Sequence, residues 1–426
     1  MIDPVYPKAS IIVVNHNGAK YLSDCFSSLM DLDYPGHLIE YILVDNGSTD
    51  RSVRYMESKF PDVRILKNAH NRGFAEANNQ AAKAANGEIL AFLNNDMKVH
   101  PLWLKTLIHK FMESSEDLVC VSSKILNYEG NKIDFIGGGF TPFGISFQID
   151  FGKKAGEIDN ETENYERELL FGCGGSMAIK KNVFMGCGGF DEDFFAYLED
   201  VDLGWRLRLM GYRILYVPES IAFHKHRGTG KKIPPHQLEF MFERNRFFTI
   251  IKNTEDVYLP YFLSMVCISN INRTFLSSMN NIEEFYFFPF TQERPSSNIQ
   301  GSGQITPSLG RKLSTMWTKR DFGVLWRWFI RKINCLTGYT GYKLVPQRTL
   351  SCSAAFNSII PGLSSLILKR RKIQSRRKVS DRQIFPLFLM DQYLKQTITG
   401  DSEFVINKVV EFEKEIMKEN QIDFPE

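Results

Sequence analysis

The chain begins with an alternation of short apolar runs and longer amphipathic ones. Ser10-Ile11-Ile12-Val13-Val14-Asn15 and Tyr41-Ile42-Leu43-Val44-Asp45 are compact and β-branched, residues 63–66 form a weaker third run, and residues 88–93 a fourth. Short apolar runs bounded by polar residues predict buried strands. Helical segments fall between them. Ser48-Thr49-Asp50 offers N-caps for a helix through Lys59. Residues 74–85 are Ala-rich and stop before Gly87. Strands alternating with helices of this length predict βαβ units, hence an α/β fold on a mostly parallel sheet.

The rhythm breaks over residues 127–170, where Gly137-Gly138-Gly139 and Gly144 punctuate aromatic residues and an acidic stretch follows. This segment reads as an irregular insertion. Regular signals return with Ser176-Met177-Ala178-Ile179, a helix start at Lys181, and a helix from Glu199 to Met210. Leu203, Leu207 and Met210 give that helix an apolar face, and Gly211 ends it. Residues 213–217 and 221–223 read as two short strands. Beyond about residue 237 the pattern is helical without strands, and the domain boundary is expected near residue 250. The expected organisation is therefore an α/β domain over 1–250 and a helical region over 251–426, with a loop over 295–310.

Composition changes this picture little. A 43% hydrophobic and 24% charged chain of 426 residues is ordinary for a folded protein, and a net charge of +3 argues against a nucleic-acid partner. Seven scattered cysteines form no Cys-x-x-Cys pair, which fits reduced thiols and a cytoplasmic setting. The first strand starts too early to leave room for a signal peptide. No run of roughly 18 consecutive apolar residues predicts a spanning helix. The run Lys369–Lys378 holds seven positive residues and no acid. It reads either as a solvated helix face or as a contact with an anionic membrane surface, with Trp326, Trp328, Phe329, Leu363, Ile367 and Leu368 as apolar neighbours.

Several polar residues end strands, where sheets of this kind bind ligands. Asp45-Asn46-Gly47-Ser48 makes a βα turn, and Asp45 can also accept from a nucleobase N–H or ribose hydroxyls. Arg72 and the helix N-terminus at Gly73 can face a diphosphate. Asp96 closes Leu93-Asn94-Asn95-Asp96, a rigid position for a hard oxygen ligand to a divalent ion. Glu199, Asp200 and Asp202 crowd one helical turn. They complement the helix dipole, and their mutual repulsion suits a general base. His224 offers a nitrogen ligand to the same ion, with His226 as rival.

Taken together, these segments resemble the inverting family 2 glycosyltransferases of the GT-A fold, especially their rhamnosyl- and galactofuranosyl-transferase-like branch. The residues that carry the resemblance are Ser10–Gly18, Leu43–Asp50, Asn71–Asn79, Leu93–Asp96, Gly174–Lys181, Gly188–Phe195, Tyr197–Leu203, Arg206–Arg208, Gly211–Arg213, Tyr216–Pro218, His224 and Glu243–Arg246. The resemblance implies a Rossmann-like sheet flanked by helices and transfer of a sugar with inversion. The donor would be a dTDP-, UDP- or GDP-linked sugar, and the acceptor a glycan or polyprenyl-linked hydroxyl in cell-surface polysaccharide or glycolipid synthesis. It implies a cytoplasmic enzyme, peripheral on the inner face of the plasma membrane. Asp200 would be the base. Asn15, Asn17, Asp45, Asn46, Arg72, Gly73, Asn94 and Asn95 would bind donor. Gly174, Gly175, Glu199 and Asp202 would shape the acceptor site. Asp96 and His224 would hold Mn2+ or Mg2+. Asn94 replaces the first acid of the family's metal motif. Two other readings stay open: a catalytically silent sugar-nucleotide-binding or scaffold protein, and a nucleotidyltransferase, although residues 10–18 lack a glycine- and lysine-rich phosphate loop.

Overall fold

A computed structural model describes residues 6–225, 233–278 and 347–388. Residues Met1–Arg273 and Ser351–Glu426 belong to one compact unit and Thr274–Leu350 to another. Described residues of the second unit are only the end of one helix and the start of the next. Residues 295–310, His226 and the tryptophans Trp326 and Trp328 lie outside the described residues.

The first half is built as the apolar alternation predicts. Strands β1 (Ala9–Asn15), β2 (Ile39–Asn46), β3 (Arg64–Asn68) and β4 (Ile89–Asn94) lie in the order β3-β2-β1-β4, all parallel. β1 and β4 are buried on both faces, which is why they read as continuous apolar runs. The connecting helices are α1 (Ala19–Met30), α2 (Ser52–Lys59) and α3 (Phe74–Ala84). α1 gave no sequence signal, because Gly18 before it donates no side-chain cap. Its apolar residues Tyr21, Leu22, Cys25, Phe26 and Leu29 nevertheless cover one face. α2 starts at Ser52, a turn later than the Ser48–Asp50 caps predict, because Asp50 Oδ1 accepts from Ser52 N at 3.0 Å.

The second half widens the sheet and makes it mixed. It contributes β5 (Met97–Val99), α4 (Trp103–Glu113), β6 (Leu118–Asn127), β7 (Ile133–Phe135), β8 (Gly138–Phe140), β9 (Ser146–Gln148), α5 (Asn160–Asn164), β10 (Arg167–Glu168), β11 (Ser176–Lys180), α6 (Lys181–Cys187), α7 (Glu199–Leu209) and β12 (Arg213–His224). β11 runs antiparallel between β4 and β6. β12 is parallel to β6. The two strands expected over 213–223 are one strand with a register shift between Val217 and Ile221. Pro218 sits in that shift, and a proline has no N–H for the ladder. Within 127–170, β7 adds to β6, while β8 and β9 form a separate two-stranded sheet.

Helices α8 (Pro235–Asn253), α9 (Leu259–Ser278), α10 (Gln347–Gln374) and α11 (Asp381–Ile384) follow. α11 docks onto α7, where Trp205 Nε1 donates to Asp381 Oδ1 at 3.0 Å and Trp205 meets the Phe388 ring edge-on at 5.0 Å. Three of the seven cations of the basic run are consumed by such docking. Lys369 pairs with Asp191 and Asp193, and Arg370 is buried and donates to Ile251 O and Thr254 O. Arg377 pairs with Asp381. Arg371, Lys372, Arg376 and Lys378 remain exposed. Thr349–Gln374 is long and apolar enough to cross a membrane by length and composition. Serines and glycine interrupt its apolar residues, so a search for an unbroken apolar run passes over it.

Candidate active site

The order β3-β2-β1-β4 changes direction at β1, and the crevice there opens at the carboxyl ends of the strands. Strand register sets the polar residues level. Asn15 lies opposite Asp45, and Val14 opposite Asn94. Asn15 is the hub: its Nδ2 donates to Ser48 Oγ at 3.2 Å and Asp45 Oδ1 at 3.4 Å, and its Oδ1 accepts from Asn95 Nδ2 at 2.7 Å. A Cβ on Gly18 would meet Asn95 Nδ2 at 2.3 Å and Asn15 Oδ1 at 2.4 Å, so only glycine allows this junction.

Asn17 and Asn46 act as braces for the loops. Asn17 Oδ1 accepts from Thr49 N at 2.7 Å and Asp50 N at 3.2 Å. Asn46 Nδ2 donates to Asn71 Oδ1 at 2.9 Å and Gly73 O at 3.0 Å, and its Oδ1 accepts from Arg72 N at 3.0 Å. Arg72 itself turns its guanidinium to Glu76, one turn along α3. Gly73 has φ +87°, and a Cβ there would strike Phe195 O at 2.6 Å. That carbonyl accepts from Phe74 N at 2.6 Å, tying the N-terminus of α3 to the loop before α7.

Asp96 and His224 come together although 128 positions separate them. Antiparallel pairing of β12 with β5 sets His224 opposite Met97, beside Asp96. His224 Nε2 lies 3.4 Å from Asp96 Oδ1. Its Nδ1 lies 2.8 Å from Asp134 Oδ2. Burial opposes charge on the imidazole, yet the hydrogen bonds and charges of Asp134 and Asp96 outweigh it and raise its pKa to about 9. Asp134 was invisible to sequence reading, since it sits in the segment taken as an irregular insertion. Its only signal is an acid inside the apolar triplet of β7, where it is 3% exposed.

The donor set fits a divalent ion. One ion about 2.0–2.2 Å from each ligand atom needs an O–N separation of roughly this size. A carboxylate on the far nitrogen is the usual orienting partner of a metal-bound histidine. A second cluster, Glu239, Glu243 and Cys352, brings its ligand atoms within 4.8 Å of one another. Glu243 there is already held by Arg246, Arg273 and Asn270, and these cations disfavour an ion.

Asp200 opens α7 behind a strained turn. Phe195, Tyr197 and Leu198 all have positive φ, at 63°, 70° and 65°. Non-glycine residues hold such conformations only where their surroundings enforce them. Here Asn245 Nδ2 donates to Ala196 O and Tyr197 O, both at 2.8 Å. Asp200 Oδ2 accepts from Gly174 N at 3.0 Å and Oδ1 from Val201 N at 2.8 Å. Gly175 O in turn accepts from Asn94 N at 2.9 Å, two residues before Asp96. Burial raises the Asp200 pKa above its ordinary value, with those two N–H groups acting against it. Glu199 is pushed up further by burial and by the neighbouring Asp200, and its Oε2 is buried without a hydrogen-bond partner among the described residues.

Asp202 faces the other way. Two residues along a helix it points away from Gly174, and it bonds Arg206 Nε at 2.9 Å, Lys252 Nζ at 2.8 Å and Asn253 Nδ2 at 2.9 Å. It holds α7 against α8 and has no contact with Gly174 or the strand ends. Replacing Asp202 with alanine leaves two buried cations short of a partner, so unfolding free energy should fall by about 3–5 kcal/mol in a urea titration. A loss within about 0.5 kcal/mol would overturn that account.

Residues 10–184 match the sequence model of the family described as Glycosyl transferase family 2. The chain is 28% identical to human Polypeptide N-acetylgalactosaminyltransferase 14 over 315 residues, 71% of this chain and 52% of that protein. It is 31% identical to O-antigen biosynthesis protein RfbC of Myxococcus xanthus over 223 residues, 51% of this chain but 17% of that protein. The chain thus spans about half the length of the first of these relatives and a smaller part of the second. A crystal structure of GalNAc-T7 with UDP, GalNAc and Mn2+ shares the fold, with a TM-score of 0.50 at 18% identity, covering 66% of this chain and 53% of that one. The GT-A-like architecture expected from the sequence is therefore the one found.

Proposed function

We propose that this chain, with a family 2 glycosyltransferase domain over residues 10–184, moves a sugar from a nucleotide-sugar donor to an acceptor hydroxyl with inversion at the anomeric carbon. One observation carries the reading. The adjacent glycines Gly174 and Gly175 bind the half-buried Asp200 carboxylate on one side and the end of β4, next to Asp96, on the other. A base and an anion-handling pair are thereby held across one crevice.

In the proposed reaction Asp200 takes the proton from the acceptor hydroxyl as its oxygen attacks the anomeric carbon. The bond to the diphosphate breaks on the opposite face, and its electron pair leaves with the diphosphate. Asp45 reads the nucleobase or ribose, and the N-terminus of α3 at Gly73 faces the diphosphate. Asp96 and His224 would hold Mn2+ or Mg2+, which supplies Lewis-acid neutralisation of the leaving group when bound. UDP and Mn2+ in the GalNAc-T7 structure support a nucleotide and a divalent ion as ligands of this fold.

The finer assignment is to rhamnosyl- or galactofuranosyl-like transfer in polysaccharide or glycolipid synthesis. Its support is the Asp96–His224 pair beside Asn94, together with the O-antigen relative. A lipid-linked acceptor at an anionic membrane fits the exposed residues Phe356, Ile360, Leu363 and Ile367, spaced four, three and four along α10. A melting-temperature panel of dTDP-, UDP- and GDP-sugars, with Mn2+ and with chelator, tests the donor assignment. One nucleotide class should raise the melting temperature in Mn2+ and lose most of that effect in chelator. No shift with any nucleotide sugar would sink the proposal.

A further inference from the structure

A second cavity, of about 320 Å³, lies behind α7. Arg206 of α7 and Met210, the residue that follows its last turn, line it. The remaining wall comes from residues 187–193, from Lys252 of α8, and from Lys369, Lys372, Ile373 and Arg376 at the end of α10. Five cations and three acids line it. The acids are already engaged. Asp191 is held by Lys252 and Lys369 and stays below the ordinary carboxylate range because those charges outweigh its burial. Asp193 pairs with Lys369, and Glu192 with Asn79 and Lys83. Arg206 is spent on Asp202.

Two cations are left over. Lys372 has no carboxylate within 4.0 Å among the described residues, and Arg376 donates only to Gly186 O, at 2.8 Å. They sit four residues apart at the end of α10, at the mouth of a cavity whose other charged lining residues, three cations and three acids, balance one another and leave these two as its excess charge. Unpaired Lys and Arg converging on a concave, partly apolar pocket recognise a phosphate group. We infer that this cavity is a binding site, separate from the strand-end crevice, for a phosphate-bearing ligand. Lys372 and Arg376 contact the phosphate, and Met210 and Ile373 pack against the attached moiety.

The phosphate comes from a soluble ester or from a lipid headgroup, and the test separates them. The full chain, in chelator to keep the strand-end crevice free of metal, is titrated with inorganic phosphate and glycerol 3-phosphate. It is titrated separately with phosphatidylglycerol and phosphatidylcholine vesicles. Arg371, exposed on the same run but not lining the cavity, is the control. Lys372→Ala/Arg376→Ala should weaken phosphate-ester or phosphatidylglycerol binding by about tenfold or more, and Lys372→Ala alone by several-fold, while Arg371→Ala leaves it unchanged. Soluble ester binding identifies a small-molecule ligand. Binding confined to phosphatidylglycerol identifies a headgroup. Equal losses in the Arg371→Ala control would show a diffuse cationic surface, and no binding to any probe would show an empty pocket; either result overturns the inference. These outcomes do not depend on transfer activity, so they stand apart from the proposed reaction.

Discussion

Asp200→Asn should lower turnover by about 10²–10⁴-fold, the range for losing a positioned general base, while donor affinity changes by no more than about twofold. Asparagine keeps the shape of the side chain but cannot take a proton at neutral pH. It also carries one acceptor where Asp200 uses two, for Gly174 N and Val201 N. That substitution leaves one N–H unmet, at about 1–3 kcal/mol. The pKa direction works against this cost. Burial raises the folded-state pKa of Asp200, so its stability contribution is present below the ordinary carboxylate pKa and is lost as pH rises through the raised value. Removing the charge at neutral pH recovers part of the loss, and the variant should stay folded. The same direction fixes the pH profile. The working form is the ionised one, so kcat should fall with falling pH along a limb above the ordinary aspartate value of 3.8. Stopped-point transfer assays and calorimetry with the donor measure both quantities. Unchanged turnover removes Asp200 as the base. Loss of donor binding together with turnover makes it a structural residue. A chain that binds donor and transfers nothing even as the native protein is the silent-binder alternative.

The crevice was legible where chemistry follows strand ends. β1, β2 and β4 announce themselves as buried apolar runs, and Asn15, Asp45 and Asp96 are polar residues at or just past their ends. The rest depended on pairings that no local pattern encodes. Asp134 reaches His224 only because β7 folds back on β6 while β12 lies on its other edge, and neither pairing can be read from residues 127–170. Asp202 misleads for a related reason. Three acids in one turn look like a single cluster in sequence, but a helix sends Asp200 and Asp202 to opposite faces, and the charges that claim Asp202 come from Arg206 and from Lys252 on α8. The basic run misleads in part, since Asp191 and Asp193, which pair with Lys369, are remote in sequence, and Asp381, which pairs with Arg377, lies just past the run.

Asp96→Ala should abolish metal-dependent donor binding, and Asp134→Asn should weaken it in a graded way. Asp96 sets a carboxylate oxygen 3.4 Å from His224 Nε2, and Asn94 contributes no second acid. Without Asp96 a lone imidazole remains, which is too little to hold a hard cation. Asp134 acts through the ring: it accepts at Nδ1, so it fixes which way His224 points and raises the basicity of the nitrogen facing Asp96. Its asparagine variant keeps the packing and loses that charge, and metal affinity should drop by about 10–100-fold. Titration of Mn2+ followed by its paramagnetic signal, with nucleotide present and absent, reads the affinity directly. The Glu239–Glu243–Cys352 cluster supplies the control. Glu243 is neutralised by two arginines, so Glu239→Gln should leave the Mn2+ isotherm unchanged. If Glu239→Gln removes the signal and Asp96→Ala does not, the ion belongs to that cluster, and Asp96 and His224 form an ion pair beside the sheet. If Asp134→Asn equals Asp96→Ala in effect, Asp134 is itself a ligand, and the ring between the two carboxylates must turn for both to reach one ion.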